Sequence, residues 1–147
     1  PTPCVLKDYR LAFNRRSESK PTEEGLANII SENGQEVEGV LYQLPKTTLE
    51  FLKSHEPGYH TIKVKVQVRD KATGELNDKV TEAEVLMADA NKVGENLKPN
   101  RADITSIIEG AAEHGLSKSY QDTLKGFDPA PESPVVTAPT GNGGGSS

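Results

Sequence analysis

The chain has 147 residues, a net charge of -5 and a hydrophobic fraction of 33%, which fit one domain with a sizeable core. The negative charge repels phosphate backbones and argues against nucleic acid as a partner, and the single cysteine excludes an internal disulfide, as suits a reducing compartment. No apolar run of transmembrane length and no signal-peptide pattern is present, so the sequence predicts a cytoplasmic protein that does not enter a membrane.

Five runs have the composition or alternation of β-strands, with apolar, β-branched and aromatic residues on a half-buried surface. The predicted strands cover residues 4–13, 25–30, 37–44, 62–68 and 80–88. In the first strand, the odd-numbered residues from Val5 to Phe13 are predicted to face the core. Asn33-Gly34 tolerates positive φ and predicts a hairpin that pairs the second strand with the third. The fourth and fifth strands form another predicted hairpin.

Two pairs of basic residues are interpreted as solvent-facing rather than as anion sites. Arg15 and Arg16 lie in a polar segment predicted to be a loop, where a solvated corner is the common outcome. Lys63 and Lys65 alternate with valines along the fourth strand, and exposed lysines of this kind usually protect a sheet surface.

A short helix is predicted between the third and fourth strands. Thr47 and Glu50 have the spacing of a capping box, with Thr47 at the N-cap, and Pro57-Gly58 ends the helix. Glu56 is therefore predicted to lie in the last turn, where the helix dipole is less favourable to a carboxylate than to a cation. Such an acid could serve as a proton shuttle near neutral pH, and the alternative is an ordinary exposed glutamate at a fraying helix end.

Two more helices and a tail complete the predicted organisation. The first helix covers residues 101–114, because apolar residues recur at helical spacing before Gly115, which is placed at C′ with Leu116 beyond it. The second helix covers residues 120–124. Residues 128–147 are rich in Pro, Gly, Ser and Thr, so they are predicted to be a disordered tail after a domain of residues 1–127.

Other kinds of chemistry find no support in the residue pattern. His55, His60, His114 and Cys4 lack the spacing of a metal-ligand set, and Cys4 has no adjacent base. No phosphate-binding glycine motif adjoins a strand and helix, and no Gly-x-Ser-x-Gly elbow is present. Glu56 is the candidate that remains.

Several segments together resemble the γ-glutamylcyclotransferase family, from Val5 to about Leu124. The most specific are Val37-x-Gly39-Val40-x-Tyr42 before the short helix and the sequence GAAEHGL at residues 110–116. The resemblance implies an α+β fold, a small mixed and mainly antiparallel β-barrel with a few flanking helices. It also implies an enzyme that cyclises the γ-glutamyl group of small-molecule γ-glutamyl amines or peptides to 5-oxoproline and releases the amine, without metal or cofactor.

The resemblance also assigns roles to individual residues. Glu56 aligns with the essential glutamate of the family, which would take a proton from the substrate α-ammonium and return it to the leaving nitrogen. Tyr59 and Asp103 are the predicted substrate-binding residues, and Asp103 stands where the family often has a substrate-side aromatic residue. The oligomeric state is left open, with a homodimer as one candidate.

The chain also departs from the family pattern. The Tyr-Gly-Ser-Asn loop, which follows the family's first strand and holds substrate with backbone N–H groups, has no counterpart. Lys53 replaces an aspartate, and Pro57 replaces the glycine after the essential glutamate. The chain also begins without Met, so the domain is predicted to be processed or truncated and incomplete at its N-terminus. The alternative hypothesis is therefore a non-catalytic binding or scaffold module.

Overall fold

The structure is a computed structural model that describes residues 1–70 and 72–131, and it is built on a five-stranded mixed sheet. The strands are β1 (Thr2–Arg16), β2 (Glu24–Leu41), β3 (Tyr59–Arg69), β4 (Leu76–Ala88) and β5 (Lys98–Pro99). The helices are α1 (Lys46–Ser54), α2 (Arg101–Glu113) and α3 (Lys118–Lys125), with a 3-10 turn at Ala90–Lys92. The spatial order is β4-β3-β1-β2-β5, in which β5 is parallel to β2 and the other neighbours are antiparallel. The predicted α+β class and mainly antiparallel sheet are confirmed.

Residues 24–41 form one continuous strand, so the predicted hairpin at Asn33-Gly34 is wrong. Both halves of β2 pair with β1, and the register shifts where Asp8 of β1 faces residues 32–35 of β2. The shift has a physical cause: Asp8 and Gly34 both adopt positive φ, at 67° and 84°, and the Gly34 N–H donates to Asp8 Oδ1 at 3.1 Å. Asn33-Gly34 therefore lies in a bulge-like irregularity within one long strand and does not reverse the chain.

The burial of β1 departs from the predicted alternation of core-facing and exposed residues. Even-numbered Cys4 and Leu6 belong to a buried cluster with residues of β2 and β3, whereas Phe13 packs in a second cluster beneath the helices. Val5 and Phe13 are buried as predicted, but Lys7 is exposed. The predicted alternation fails because residues 3–6 are all buried, so both faces of β1 are covered there.

Helix α2 is placed by its apolar face and by its C-terminal cap. Ile104 and Ala111 are buried in the second cluster, as the helical spacing predicted. Gly115 has φ +69°, and the Leu116 N–H donates to the Ala111 carbonyl at 3.0 Å, which together form a Schellman-type end. The predicted cap and the contact of Leu116 are therefore confirmed.

A buried side chain joins two strands that are not neighbours in the sheet. Asn28 of β2 accepts the Ala88 N–H of β4 at 2.8 Å and donates from Nδ2 to Asn14 Oδ1 at 2.9 Å. The contact indicates that the sheet curls so that β2 and β4 approach. In the described ranges, the strand pairings leave β4 and β5 as edges, so the structure shows a curled sheet and does not show closure of the predicted barrel.

The C-terminal part of the described chain packs against α2 and β5. Ala130 is buried, and its N–H donates to the Pro99 carbonyl at 2.9 Å. The predicted boundary at residue 127 falls inside this packed segment, and residues 132–147 of the predicted tail lie outside the described residues. None of the helices in the described ranges is long and apolar enough to cross a membrane.

Candidate active site

Glu56, Tyr59 and Asp103 line one cavity of about 540 Å³. They come from three elements, namely the turn after α1, the first residue of β3 and the first turn of α2. Most of the remaining lining is apolar and comes from β1, β2, α1 and β4. The apolar residues are Leu11, Leu26, Ala27, Ile29, Leu49, Leu52, Val85 and Leu86. The fold thus brings the three predicted site residues together on an apolar wall.

Glu56 lies in a turn beyond α1, not in its last helical turn as predicted. Helix α1 ends at Ser54, and the Tyr59 N–H donates to the Glu56 carbonyl at 3.3 Å across the turn. Pro57 occupies the second position and Gly58, with φ +86°, the third, which is the residue pattern of a type II turn. The carboxylate is exposed at the cavity wall, and its position is fixed by the turn rather than by the helix.

The start of α1 also differs from the prediction. Pro45 is the N-cap, no side chain caps the helix, and the Leu49 N–H donates to the Pro45 carbonyl at 3.0 Å. The predicted capping box of Thr47 and Glu50 is therefore wrong, because the N-cap lies two residues earlier than that motif requires. None of the α1 residues is buried, so the helix lies over the sheet loosely.

A buried arginine holds the turn that carries Glu56. The Arg15 side chain is 4% exposed, its Nη2 donates to the Pro57 carbonyl at 2.7 Å, and its guanidinium carbon lies 5.5 Å from the centre of the Tyr59 ring. Glycine is favoured at position 58 by its positive φ, and a Cβ there would lie 2.3 Å from Arg15 Nη2, so any other residue would displace the guanidinium. The prediction of a solvated corner is wrong for Arg15, whereas exposed Lys63 and Lys65 are as predicted.

The backbone of one residue of β2, Ala27, links Tyr59 to Asp103. The Tyr59 hydroxyl donates to the Ala27 carbonyl at 2.8 Å, and the Ala27 N–H donates to Asp103 Oδ2 at 2.7 Å. Burial raises the pKa of Tyr59 to about 12, an effect that Arg15 opposes and that the carboxylates of Asp103 and Glu56 reinforce. Tyr59 is therefore a neutral hydroxyl at physiological pH, and Asp103 is oriented by the backbone.

Sequence reasoning missed an ion pair on the cavity wall. Lys53 Nζ lies 2.8 Å from Glu84 Oε1, which joins α1 to β4, and both side chains line the cavity. The hydrogen bond from Lys53 lowers the pKa of Glu84 below its usual value. In the sequence, Lys53 stands out only as a departure from the family pattern, and the alternation of β4 gives no sign that Glu84 faces it.

The other titratable candidates lie apart from this cavity. His60 is 2.7 Å from Asp89 and His114 is 3.2 Å from the Tyr42 hydroxyl, each at a different place. Burial raises the pKa of the Cys4 thiol, which keeps it protonated. Across residues 1–70 and 72–131, no group of three or more His, Cys, Asp or Glu side chains is arranged to hold a metal ion.

Comparison with known proteins identifies relatives of the chain and a family match that includes the three candidate residues. The profile of the AIG2-like family matches residues 36–124, a range that includes Glu56, Tyr59 and Asp103. The gamma-glutamylcyclotransferases of Homo sapiens and Mus musculus are 30% identical to the chain over 131 and 135 residues, covering 86% of the chain and 66% of each relative. A solved gamma-glutamyl cyclotransferase superposes with a TM-score of 0.74 at 25% identity, covering 95% of this chain and 80% of that one. The chain thus spans 66% of the length of these curated relatives.

Proposed function

Because the chain belongs to the AIG2-like, γ-glutamylcyclotransferase family, we propose that it cyclises the γ-glutamyl group of small-molecule γ-glutamyl amines or peptides to 5-oxoproline and releases the amine. The observation that carries the proposal is the convergence of Glu56, Tyr59 and Asp103 on one cavity within the family region. An apolar cavity with a few convergent polar groups is the usual form of a small-molecule site.

In this mechanism Glu56 is the general acid and base. Its carboxylate accepts a proton from the substrate α-ammonium, and the free amine attacks the γ-carbonyl carbon of the same molecule. The bond from that carbon to the leaving nitrogen then breaks as protonated Glu56 returns the proton to that nitrogen. The second proton of the ring nitrogen passes to the released amine, so that 5-oxoproline and an ammonium ion are formed. The main contribution of the site to ring closure is to position the substrate, because holding its amine and its γ-carbonyl in attack geometry accelerates their reaction strongly.

Tyr59 and Asp103 would bind the substrate beside Glu56. The Asp103 carboxylate attracts the α-ammonium group by charge, and its hydrogen bond from Ala27 fixes its orientation. The Tyr59 hydroxyl donates its proton to the Ala27 carbonyl, so its oxygen offers the substrate an acceptor. Both side chains are held by backbone groups, which would pre-organise the site.

The test is the release of 5-oxoproline from γ-glutamyl dipeptides by the wild-type chain and by Glu56→Gln. We expect the substitution to lower kcat by about 100-fold or more, the usual contribution of general acid–base catalysis. Glu50→Gln is the matched control, because Glu50 is exposed on α1 and does not line the cavity. Equal activity of wild type and Glu56→Gln would refute the assigned role.

A non-catalytic binding or scaffold module is the second candidate, and a surface feature favours it. Large hydrophobic side chains are exposed on α1 and on the segment before it, as is typical of protein-binding surfaces. They are Tyr42, Leu44, Phe51 and Leu52. Under this hypothesis Glu56→Gln leaves the function unchanged, whereas Phe51→Ser abolishes capture of a protein partner.

A further inference from the structure

Arg15 is a buried charge whose position is not explained by its ion pair. Its side chain is 4% exposed, and the carboxylate of its partner Glu18 lies 4.0 Å from Nη2 on a side chain that is 79% exposed. A carboxylate so distant and so exposed offsets little of the cost of removing a guanidinium from water. The contact of Arg15 with the turn at residues 56–59 gives a better account of its burial.

The backbone that carries Arg15 is held on both sides. In β1 it pairs with Leu26 of β2, and it also forms a bridge with Val93 in the segment after β4. The side chain is oriented from its own strand, because Nη1 donates to the carbonyl of Arg16, and Nη2 then donates to the Pro57 carbonyl at 2.7 Å. A planar donor group on a strand held from both sides is rigid, so it fixes the carbonyl that it binds.

The fixed carbonyl belongs to the residue directly after Glu56. The ring of Pro57 locks its φ near about −65°, so one of the backbone rotations between this carbonyl and the Cα of Glu56 is already frozen. Holding the Pro57 carbonyl therefore limits where the Glu56 carboxylate can lie at the cavity wall. A general acid or base acts only within hydrogen-bond reach of the proton it moves, so its position bears directly on the rate.

On the basis of the proposed function, we propose that Arg15 is a positioning residue for that reaction. Its hydrogen bond to the Pro57 carbonyl holds the Glu56 carboxylate within reach of the two substrate nitrogens between which the proton moves. Tyr59 lines the cavity and Arg15 does not, so the guanidinium acts from behind the wall without touching the substrate.

The experiment measures kcat and KM for 5-oxoproline release from a γ-glutamyl dipeptide, at a temperature where urea unfolding shows each protein to be folded. We expect Arg15→Met to lower kcat by about tenfold or more, because a misplacement of about 1 Å can cost up to ~100-fold. KM should change less, because Tyr59 and Asp103 are both held by the backbone of Ala27. Arg15→Lys keeps a charged donor and should recover part of kcat.

Arg16→Met is the matched control. It removes the same charge from the next residue of β1 and breaks hydrogen bonds to the carbonyls of Asn91 and Val93, which lie in a different segment from the turn. A general loss of stability would affect both variants, whereas a misplaced Glu56 lowers kcat in Arg15→Met alone. Equal kcat in the two variants overturns the inference and leaves the proposed function standing.

Amide hydrogen exchange monitors the turn without the reaction. The Tyr59 N–H donates to the Glu56 carbonyl across the turn at 3.3 Å, so its protection reports how often the turn opens. Relative to the amides of β3 that pair with β4, we expect this protection to fall by about tenfold or more in Arg15→Met, the usual effect of losing a hydrogen bond from a charged donor. Arg16→Met should keep the wild-type value.

If the wild type releases no 5-oxoproline, the proposed function fails, and the exchange measurement decides whether Arg15 positions Glu56. A loss of Tyr59 protection in Arg15→Met but not in Arg16→Met supports the hold of Arg15 on this turn. Equal protection of the Tyr59 amide in the two variants overturns it.

Discussion

Replacing Arg15 with methionine tests whether this buried side chain holds the turn that carries Glu56. The change removes the hydrogen bond to the Pro57 carbonyl and the contact with the Tyr59 ring. A hydrogen bond from a charged donor contributes about 1.5–3 kcal/mol, and a cation–π contact about 0.5–2 kcal/mol. The substitution also removes the cost of burying the charged guanidinium, which offsets part of the loss. This cost includes that of Arg15 Nε, which is buried without a hydrogen-bond partner within the described part of the chain. We therefore expect a net loss of about 2–4 kcal/mol in the free energy of unfolding.

The assay is urea unfolding followed by circular dichroism, with thermal unfolding as a second measurement. A loss of this size lowers Tm by roughly 6–12 °C in a chain of this length. Arg10→Met is the matched control, because Arg10 makes a surface ion pair with Glu32 at 43% and 46% exposure, and such pairs contribute at most about 1 kcal/mol. Arg15→Lys keeps the charge but not the planar donor group, so it should recover only part of the loss. If Arg15→Met is as stable as Arg10→Met, Arg15 does not hold the turn.

Two further predictions concern the C-terminal cap of α2 and alkaline pH. Gly115→Ala should destabilise the protein by about 1 kcal/mol, because φ is +69° there. Gly110→Ala should stabilise it by about 0.5–1 kcal/mol, because Gly110 lies within α2 and a Cβ there meets no neighbour. Urea unfolding measures both changes in stability, and the same sign for both would contradict the prediction. Burial raises the pKa of Tyr59 and of Tyr120 to about 12, above the unfolded value near 10. Their contribution to stability is therefore complete below pH 10 and is lost as the pH rises through 12. The unfolding free energy of Tyr59→Phe should fall less steeply over this range than that of wild type, and equal slopes would refute the assignment to Tyr59.

Local periodicity predicted the elements whose pattern is self-contained. The alternation of valines with polar residues predicted β3, and the spacing of Ile104 and Ala111 predicted α2, because both patterns follow from the backbone geometry of one segment. The Gly115 cap was equally predictable, since glycine at C′ relieves the strain of positive φ. These features need no knowledge of the rest of the chain.

Features that depend on a distant partner were missed. Gly34 does not reverse the chain, because Asp8 of β1 accepts its N–H and both halves of β2 pair with the same strand. Arg15 was interpreted as exposed because arginine in a polar segment usually is, but the fold brings it to the carbonyl of Pro57. Neither contact leaves a signal at the spacing of a helix or a strand.

The candidate site was predicted by resemblance, and its electrostatic environment was not. Tyr59 and Asp103 were assigned through the family pattern, and the structure places both on the cavity of Glu56. The pair of Lys53 and Glu84 was missed because it joins residues of α1 and β4, whose pairing depends on the packing of that helix over the sheet. Charge balance in a cavity is a tertiary property that linear spacing does not reveal.

The position of Glu56 depends on the sheet more than on the helix that precedes it. Helix α1 has no buried residue, so its packing cannot fix the residue that follows its end. The turn is instead held by Arg15 at the Pro57 carbonyl and by the Asp89 N–H, which donates to the Gly58 carbonyl at 2.8 Å. Tyr59 then anchors the end of the turn to β2 through its hydroxyl. These contacts come from β1, β2 and the segment after β4, so the backbone of the turn that carries Glu56 is tied to the rest of the fold at three points that do not involve α1.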